Sequence, residues 1–203
     1  MLQTITVERS TLGLLKMLQQ IPSLETTRLV GGTALALQLG HRFSIDLDFF
    51  GIMESPIEQL LQELDYSGMD IGVKYGKGSI KVLYINGVKV DIVNYPYDWI
   101  EAPIETEGVR MAGLKDIAAM KLSAITNRGT KKDFIDIYFL LQQFSLETMM
   151  GFYEQKYAHG SPFNVIRSLS YFEDAEDDPM PKLFHPIDWE EIKATIRLAI
   201  EKY

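Results

Sequence analysis

The stretch Arg28 to Phe50, RLVGGTALALQLGHRFSIDLDFF, decides how the chain folds. Arg28-Leu29-Val30 reads as a short strand that runs into a glycine turn, Gly31-Gly32-Thr33. Ala34 to Leu39 is apolar and helix-favouring, and Gly40 ends it. His41-Arg42-Phe43-Ser44 leads into a second strand, Asp46 to Phe50. Successive side chains of a strand point to opposite faces, so Asp46 and Asp48 share one face while Leu47 and Phe49 point into a core. Two carboxylates held side by side at neutral pH repel, which calls for a cation between them.

Upstream, Leu12, Leu14, Leu15 and Leu18 stand near helical spacing within residues 7 to 20, and Ile21-Pro22-Ser23 breaks that helix. Downstream, Ser55-Pro56 opens a helix through Leu64. Residues 70 to 75, 79 to 85 and 88 to 93 alternate as three strands, with Asn86-Gly87 as the hairpin turn between the last two. In the last of them Val88, Val90 and Ile92 share the core face. Lys89, Asp91 and Val93 share the other, so Asp91 is a third carboxylate off the core. Residues 96 to 109 read as a loop. The alternating aromatics Tyr95, Tyr97 and Trp99 pack in the core or stack on a base.

From Gly113 the pattern turns helical. Leu114, Ile117, Ala118, Lys121, Ile125 and Arg128 form one stripe, and a lysine in an apolar stripe needs a partner. Thr130 caps a helix from Lys131 to Phe144, with Asp133 and Asp136 on one of its faces. Ser145, Ser161-Pro162 and Asp188 open three more helices. Between the last two, Tyr171 to Pro186 is an acidic loop whose run Glu173 to Asp178 reads as solvated. The chain therefore divides into a mixed α/β half, residues 1–105, and a helical half, residues 106–203. This is an α+β chain with a cleft between the halves as the natural ligand position.

Composition bounds the rest. The 203 residues suit one domain with an appendage or two small ones, and a hydrophobic fraction of 46% supports a real core. Without cysteine there is no disulfide, thiolate metal site or cysteine nucleophile. The N-terminus lacks a signal-peptide pattern and no apolar run suits a membrane span, so the expectation is a soluble cytoplasmic protein with no membrane partner. A net charge of −8 argues against non-specific coating of nucleic acid. Arg110 to Asp136 nevertheless holds six basic and three acidic residues, which is compatible with a localised polyanion site. The histidines His41, His159 and His185 show no zinc-ligand spacing.

The carboxylates Asp46, Asp48 and Asp91 are hard oxygen ligands that suit Mg²⁺, which takes one or two carboxylates together with substrate phosphates. A glycine turn at a helix N-terminus offers backbone N–H groups to a triphosphate. Each feature also has a structural reading. The turn is then only tight, the carboxylates cap loop amides, and Arg42 and Ser44 brace the loop. Lys121 snorkels and Asp133 lies with Lys131 or Lys132 on a solvated face.

In order and spacing these blocks resemble the signature of the DNA-polymerase-β-type nucleotidyltransferases. More closely, GGTALAL…GHRFSIDLDFF, VKVDI and AMKLSAITNRGTKKDFIDIY resemble the AbiEii-type (type IV toxin–antitoxin) nucleotidyltransferases over most of residues 28 to 140. The resemblance implies a nucleotidyltransferase-like mixed sheet with flanking helices, followed by a C-terminal helical bundle that closes the active-site cleft. It implies Mg²⁺- or Mn²⁺-dependent transfer of a nucleoside monophosphate from an NTP to a hydroxyl, of a tRNA 3′ end or other RNA, and a cognate antitoxin. Gly31, Gly32 and Thr33 would hold phosphates, and Asp46, Asp48 and Asp91 the metal, with Asp91 activating the acceptor. Lys121 would contact the triphosphate, with Arg42, Ser44, Arg128 and Lys132 as further nucleotide contacts. Asp133 and Asp136 match a late acidic motif, Asp136 either orienting Lys121 or Arg128 or acting as a base. Two other uses of the same site stay open. One is nucleotidylation of a small molecule, as in antibiotic-modifying relatives. The other is a non-catalytic nucleotide-binding module, against which the intact carboxylate trio argues.

Overall fold

The computed structural model describes residues 1–53 and 55–203, and of residues 73–77 the backbone alone. Seven strands make one mixed sheet: β1 (Arg28–Val30), β2 (Leu47–Gly51), β3 (Ile71–Lys77), β4 (Ile80–Ile85), β5 (Val88–Asn94), β6 (Ile104–Thr106) and β7 (Val109–Met111). Their spatial order is β3-β4-β5-β2-β1-β7-β6. β1 runs antiparallel to β2, while β2–β5 and β1–β7 are parallel pairs. Burial follows the expected alternation: Leu47, Phe49, Val90 and Ile92 are fully buried, and Asp48 and Asp91 lie on the opposite face. The hairpin between β4 and β5 turns at Asn86 and Gly87, both with positive φ (51° and 79°), the conformation a two-residue turn of this kind requires.

The stretch read as a loop, residues 96 to 109, contains β6 and the start of β7. Three residues per strand leave too few alternations to register in sequence. β7 is held from outside itself: the Arg110 N–H donates to Gln19 Oε1, and its guanidinium donates to the Thr27 and Leu24 carbonyls.

The chain gathers into two compact units. The first, residues 1–40, 44–96 and 103–112, holds the sheet with α1 (Arg9–Leu18), α2 (Gly31–Leu39) and α3 (Ile57–Tyr66). The second, residues 41–43, 97–102 and 113–203, holds α4 (Leu114–Ile125), α5 (Lys131–Leu141), α6 (Leu146–Lys156), α7 (Pro162–Leu169) and α8 (Trp189–Lys202). The caps of α6, α7 and α8 are those expected: Ser145, Ser161 and Asp188 accept from the N–H groups of Thr148, Asn164 and Glu191. A buried ion pair, Lys156 Nζ to Asp116 Oδ1 at 2.7 Å, ties α6 to α4.

Glu173, Asp174, Glu176 and Asp177 of the acidic loop are exposed, as its reading as solvated expects, but two of its carboxylates also have fixed partners. Glu176 accepts from Lys193 and from the Trp189 indole, and Asp178 accepts from the Lys131 N–H. Its charges therefore pin the loop to α5 and α8. Among the described residues no helix is long and apolar enough to cross a membrane.

Candidate active site

In the first unit β1 passes directly into α2. Gly31 is already the first residue of the helix, three residues earlier than the apolar run suggests, and takes φ of 69°. A Cβ at Gly31 would run into the Asp48 carboxylate, so this glycine both makes the turn and leaves that carboxylate its place. Thr33 is buried, and its hydroxyl donates to the Asp46 carbonyl and lies 2.8 Å from Ser44 Oγ. The two hydroxyls thereby hold the bend that leads into β2. Asp46 stands just before the strand rather than within it.

Asp48 and Asp91 are direct partners across the parallel pair β2–β5. Asp46, Asp48 and Asp91 are each partly exposed. Asp91 Oδ2 accepts from Lys89 Nζ at 2.5 Å, while Asp91 Oδ1 is buried without a hydrogen-bond partner. Partial burial would lower the pKa of Lys89. The Asp91 hydrogen bond and the charges of Asp91, Asp48 and Asp46 outweigh that and raise it above the ordinary lysine value. All three carboxylates thus act on one ammonium. Among the described residues no three acidic or histidine groups are gathered closely enough to hold a metal ion as they stand. The donors still fit a hard divalent cation. They are carboxylate oxygens, one of them without a partner, and Mg²⁺ needs only one or two carboxylates beside water and phosphate.

The second unit holds a buried ionic network centred on Asp136 of α5. Arg42 grips this fully buried carboxylate with both arms of its fork, Nε at 2.7 Å and Nη2 at 2.9 Å. Lys121 Nζ of α4 reaches Asp136 Oδ2 at 2.5 Å and Asp133 Oδ1 at 3.0 Å. Asp133 also accepts from Arg128 Nε at 3.0 Å and from the Thr130 hydroxyl at 2.7 Å. Thr130 therefore stands at the N-cap position of α5 but spends its hydroxyl on a side chain.

Burial by itself would raise both carboxyls. Arg42 and Lys121 overcome it at Asp136, which is held well below the usual carboxylate range, and Lys121 with Arg128 holds Asp133 at about 2. Burial would likewise lower Lys121, but Asp136 and Asp133 raise it. His41 goes the other way: burial outweighs Asp136 and lowers its pKa, leaving the ring neutral at pH 7. Its Nε2 lies 2.7 Å from Asp136 Oδ1, which assigns the proton to Nε2 and leaves Nδ1 buried without a partner.

The solvated-face reading of Asp133 is thus corrected, since Asp133 is fully buried, and Lys121 is paired rather than snorkelling. The positive charge that the basic segment 110–136 offers to solvent is smaller than its count. Arg110 and Lys121 are spent on internal partners, and Lys131 donates to the Glu176 and Asp178 carbonyls. Lys115, Arg128 and Lys132 remain exposed. Tyr95 packs on Phe50, and Tyr97 packs on Tyr157. Two residues escaped the sequence reading. Lys89 carried a usable signal, its place two residues from Asp91 on one strand face. His41 carried only its adjacency to Arg42.

A model of the family described as "Nucleotidyl transferase AbiEii toxin, Type IV TA system" matches residues 14–202. The protein aq_aa25 of Aquifex aeolicus (strain VF5) is 33% identical over 183 residues, covering 86% of each chain. Among solved structures, the nucleotidyltransferase toxin MenT4 (Rv2826c) of Mycobacterium tuberculosis H37Rv is similar at a TM-score of 0.60 and 20% identity, covering 92% of this chain and 79% of that one. JHP933 of Helicobacter pylori is similar at a TM-score of 0.58 and 20% identity, covering 97% and 94%. At such identities the two structures speak to the fold, a nucleotidyltransferase-like α+β architecture.

Proposed function

The chain belongs to the AbiEii family of nucleotidyltransferase toxins of type IV toxin–antitoxin systems, and we propose that it transfers a nucleoside monophosphate from an NTP to a hydroxyl of RNA, such as a tRNA 3′ end. The observation that carries this reading is the pairing of Asp48 with Asp91 across β2–β5, beside the Gly31 turn that opens α2.

Asp46, Asp48 and Asp91 would hold Mg²⁺ or Mn²⁺, which when bound offsets the triphosphate charge and makes the attacking oxygen more acidic. Gly31 and Gly32 offer the backbone N–H groups of the first turn of α2 to the phosphates, where the helix dipole favours negative charge. The Thr33 hydroxyl is turned to the Asp46 carbonyl, so a phosphate contact at this position comes from its N–H. Ser44 acts through Thr33, by bracing. Asp91 takes the proton of the acceptor hydroxyl. That oxygen bonds to the α-phosphorus as the bond to the β-phosphate oxygen breaks, and pyrophosphate leaves with the electron pair.

Arg128 and Lys132 are the exposed cations of the helical unit that could meet phosphate, whereas Lys121, buried and paired with Asp136 and Asp133, acts through that network and not as a direct contact. Asp136 and Asp133 hold Lys121 and Arg128, and Arg42 acts by fixing Asp136. Arg42 and Lys121 hold Asp136 well below the usual carboxylate range, which makes it a weak base and its part orientation rather than proton abstraction. The family's type implies a cognate antitoxin as partner.

The test is incubation with each α-³²P-labelled NTP, Mg²⁺ and total cellular RNA, with Asp48→Ala in parallel. Label entering an RNA band with the wild type and not the variant supports the reading and identifies the nucleotide. Pyrophosphate released only with small hydroxyl compounds would replace RNA by a small-molecule acceptor. Failure to bind any NTP would sink the proposal.

A further inference from the structure

The transfer as proposed leaves one charged group at the carboxylates without a task. Lys89 precedes Asp91 by two residues on β5, so both side chains stand on the same face of the sheet. Its ammonium is 2.5 Å from Asp91 Oδ2, and the negative charges of Asp48 and Asp46 act on it as well. The pair is not locked away: the Lys89 side chain is 33% exposed and that of Asp91 23%. Asp48 and Asp91 face each other across β2–β5, where like charges repel when no cation is bound, and a lysine brings a compact positive charge on a flexible stem. Asp91 Oδ1, buried and without a hydrogen-bond partner, is the half of the carboxylate that Lys89 does not serve.

We propose that Lys89 is a tethered cation of the Asp46, Asp48 and Asp91 cluster, which a divalent metal ion must displace from Asp91 in order to bind. The inference rests on the reading of these three carboxylates as metal ligands. An ammonium and a dication repel, so they cannot share one carboxylate at contact distance without loss. While Lys89 is seated it offsets the mutual repulsion of the carboxylates and keeps Asp91 beside Asp48. When it is displaced, its stem lets the charge swing toward solvent. The lysine therefore raises the metal concentration at which the cluster fills and stabilises the chain when no metal is bound.

The test is Mn²⁺ binding to the full chain without nucleotide, read from the electron paramagnetic resonance signal of free Mn²⁺, with melting temperature as a second readout. Lys89→Met keeps the apolar stem and removes the charge. It is expected to bind Mn²⁺ about twofold to fivefold more tightly than the wild type, the range that loss of a partly exposed ion-pair competitor supplies. Its metal-free melting temperature should fall and its rise on adding Mn²⁺ should grow. Lys89→Arg should stay near the wild type, and Lys89→Gln repeats the measurement if the methionine variant does not fold. Equal or weaker Mn²⁺ binding by Lys89→Met, or equal tightening in Lys89→Arg, overturns the competition. If Asp48→Asn abolishes binding in that experiment, the metal-site reading survives alone. Mn²⁺ binding unchanged in Asp48→Asn, or absent from every variant, removes the metal-site reading and the Lys89 proposal together.

Discussion

Asp136 holds Arg42, Lys121 and His41 at once. Asp136→Asn leaves the shape almost unchanged but removes the charge that two buried cations need. The expected cost is about 3–5 kcal/mol, measured as a lower urea midpoint. Asp133 sets an acid limit. Its folded pKa of about 2 lies below that of an unfolded aspartate, so its contribution is present above pH 4 and lost as pH falls toward 2. That contribution is roughly 2–3 kcal/mol, and urea melts across this window should weaken in the wild type and flatten in Asp133→Asn. Gly31→Ala meets two obstacles, a positive φ and the Asp48 carboxylate. The backbone costs about 1–2 kcal/mol, and shifting Asp48 should reduce nucleotidyl transfer by roughly a hundredfold, read in the labelling assay.

At the scale of elements, local chemistry and long-range support separate cleanly. The caps of α6, α7 and α8 and the Asn86-Gly87 turn lie within a few residues of the groups they serve, and all were legible in sequence. Asp188→Ala should cost about 1 kcal/mol and speed hydrogen exchange in the first turn of α8, because the freed Glu191 N–H loses its acceptor. β6 and β7 were not legible, since three-residue strands are specified by neighbours such as Gln19 rather than by their own pattern. The link of α6 to α4 was equally hidden. Asp116 and Lys156 are 40 residues apart, and Lys156 also donates to the Asp98 carbonyl. Lys156→Met should destabilise the protein by about 3 kcal/mol or more in urea melts, because it leaves a buried carboxylate without its cation.

For the whole molecule, charge shows what pairing does to a count. Six basic residues between Arg110 and Asp136 suggested a polyanion site, yet only Lys115, Arg128 and Lys132 remain exposed. If RNA is the acceptor, this segment should contribute a salt slope in log K of magnitude about 2, against about 4 for six contacts with a single strand. Filter binding from low to moderate salt measures it. The sequence by itself determined the strand–glycine–helix–strand order of residues 28 to 50, the faces of Asp48 and Asp91, and the family blocks. Those depend on periodicity and on residues a few positions apart. Only the tertiary structure decided that Thr33 and Ser44 brace a bend, that the Lys89 ammonium seats on Asp91 Oδ2, and that Arg42 grips Asp136. The physical reason is range: Arg42 and Asp136 are 94 residues apart, and the free energy that pairs them arises only when packing excludes water from both.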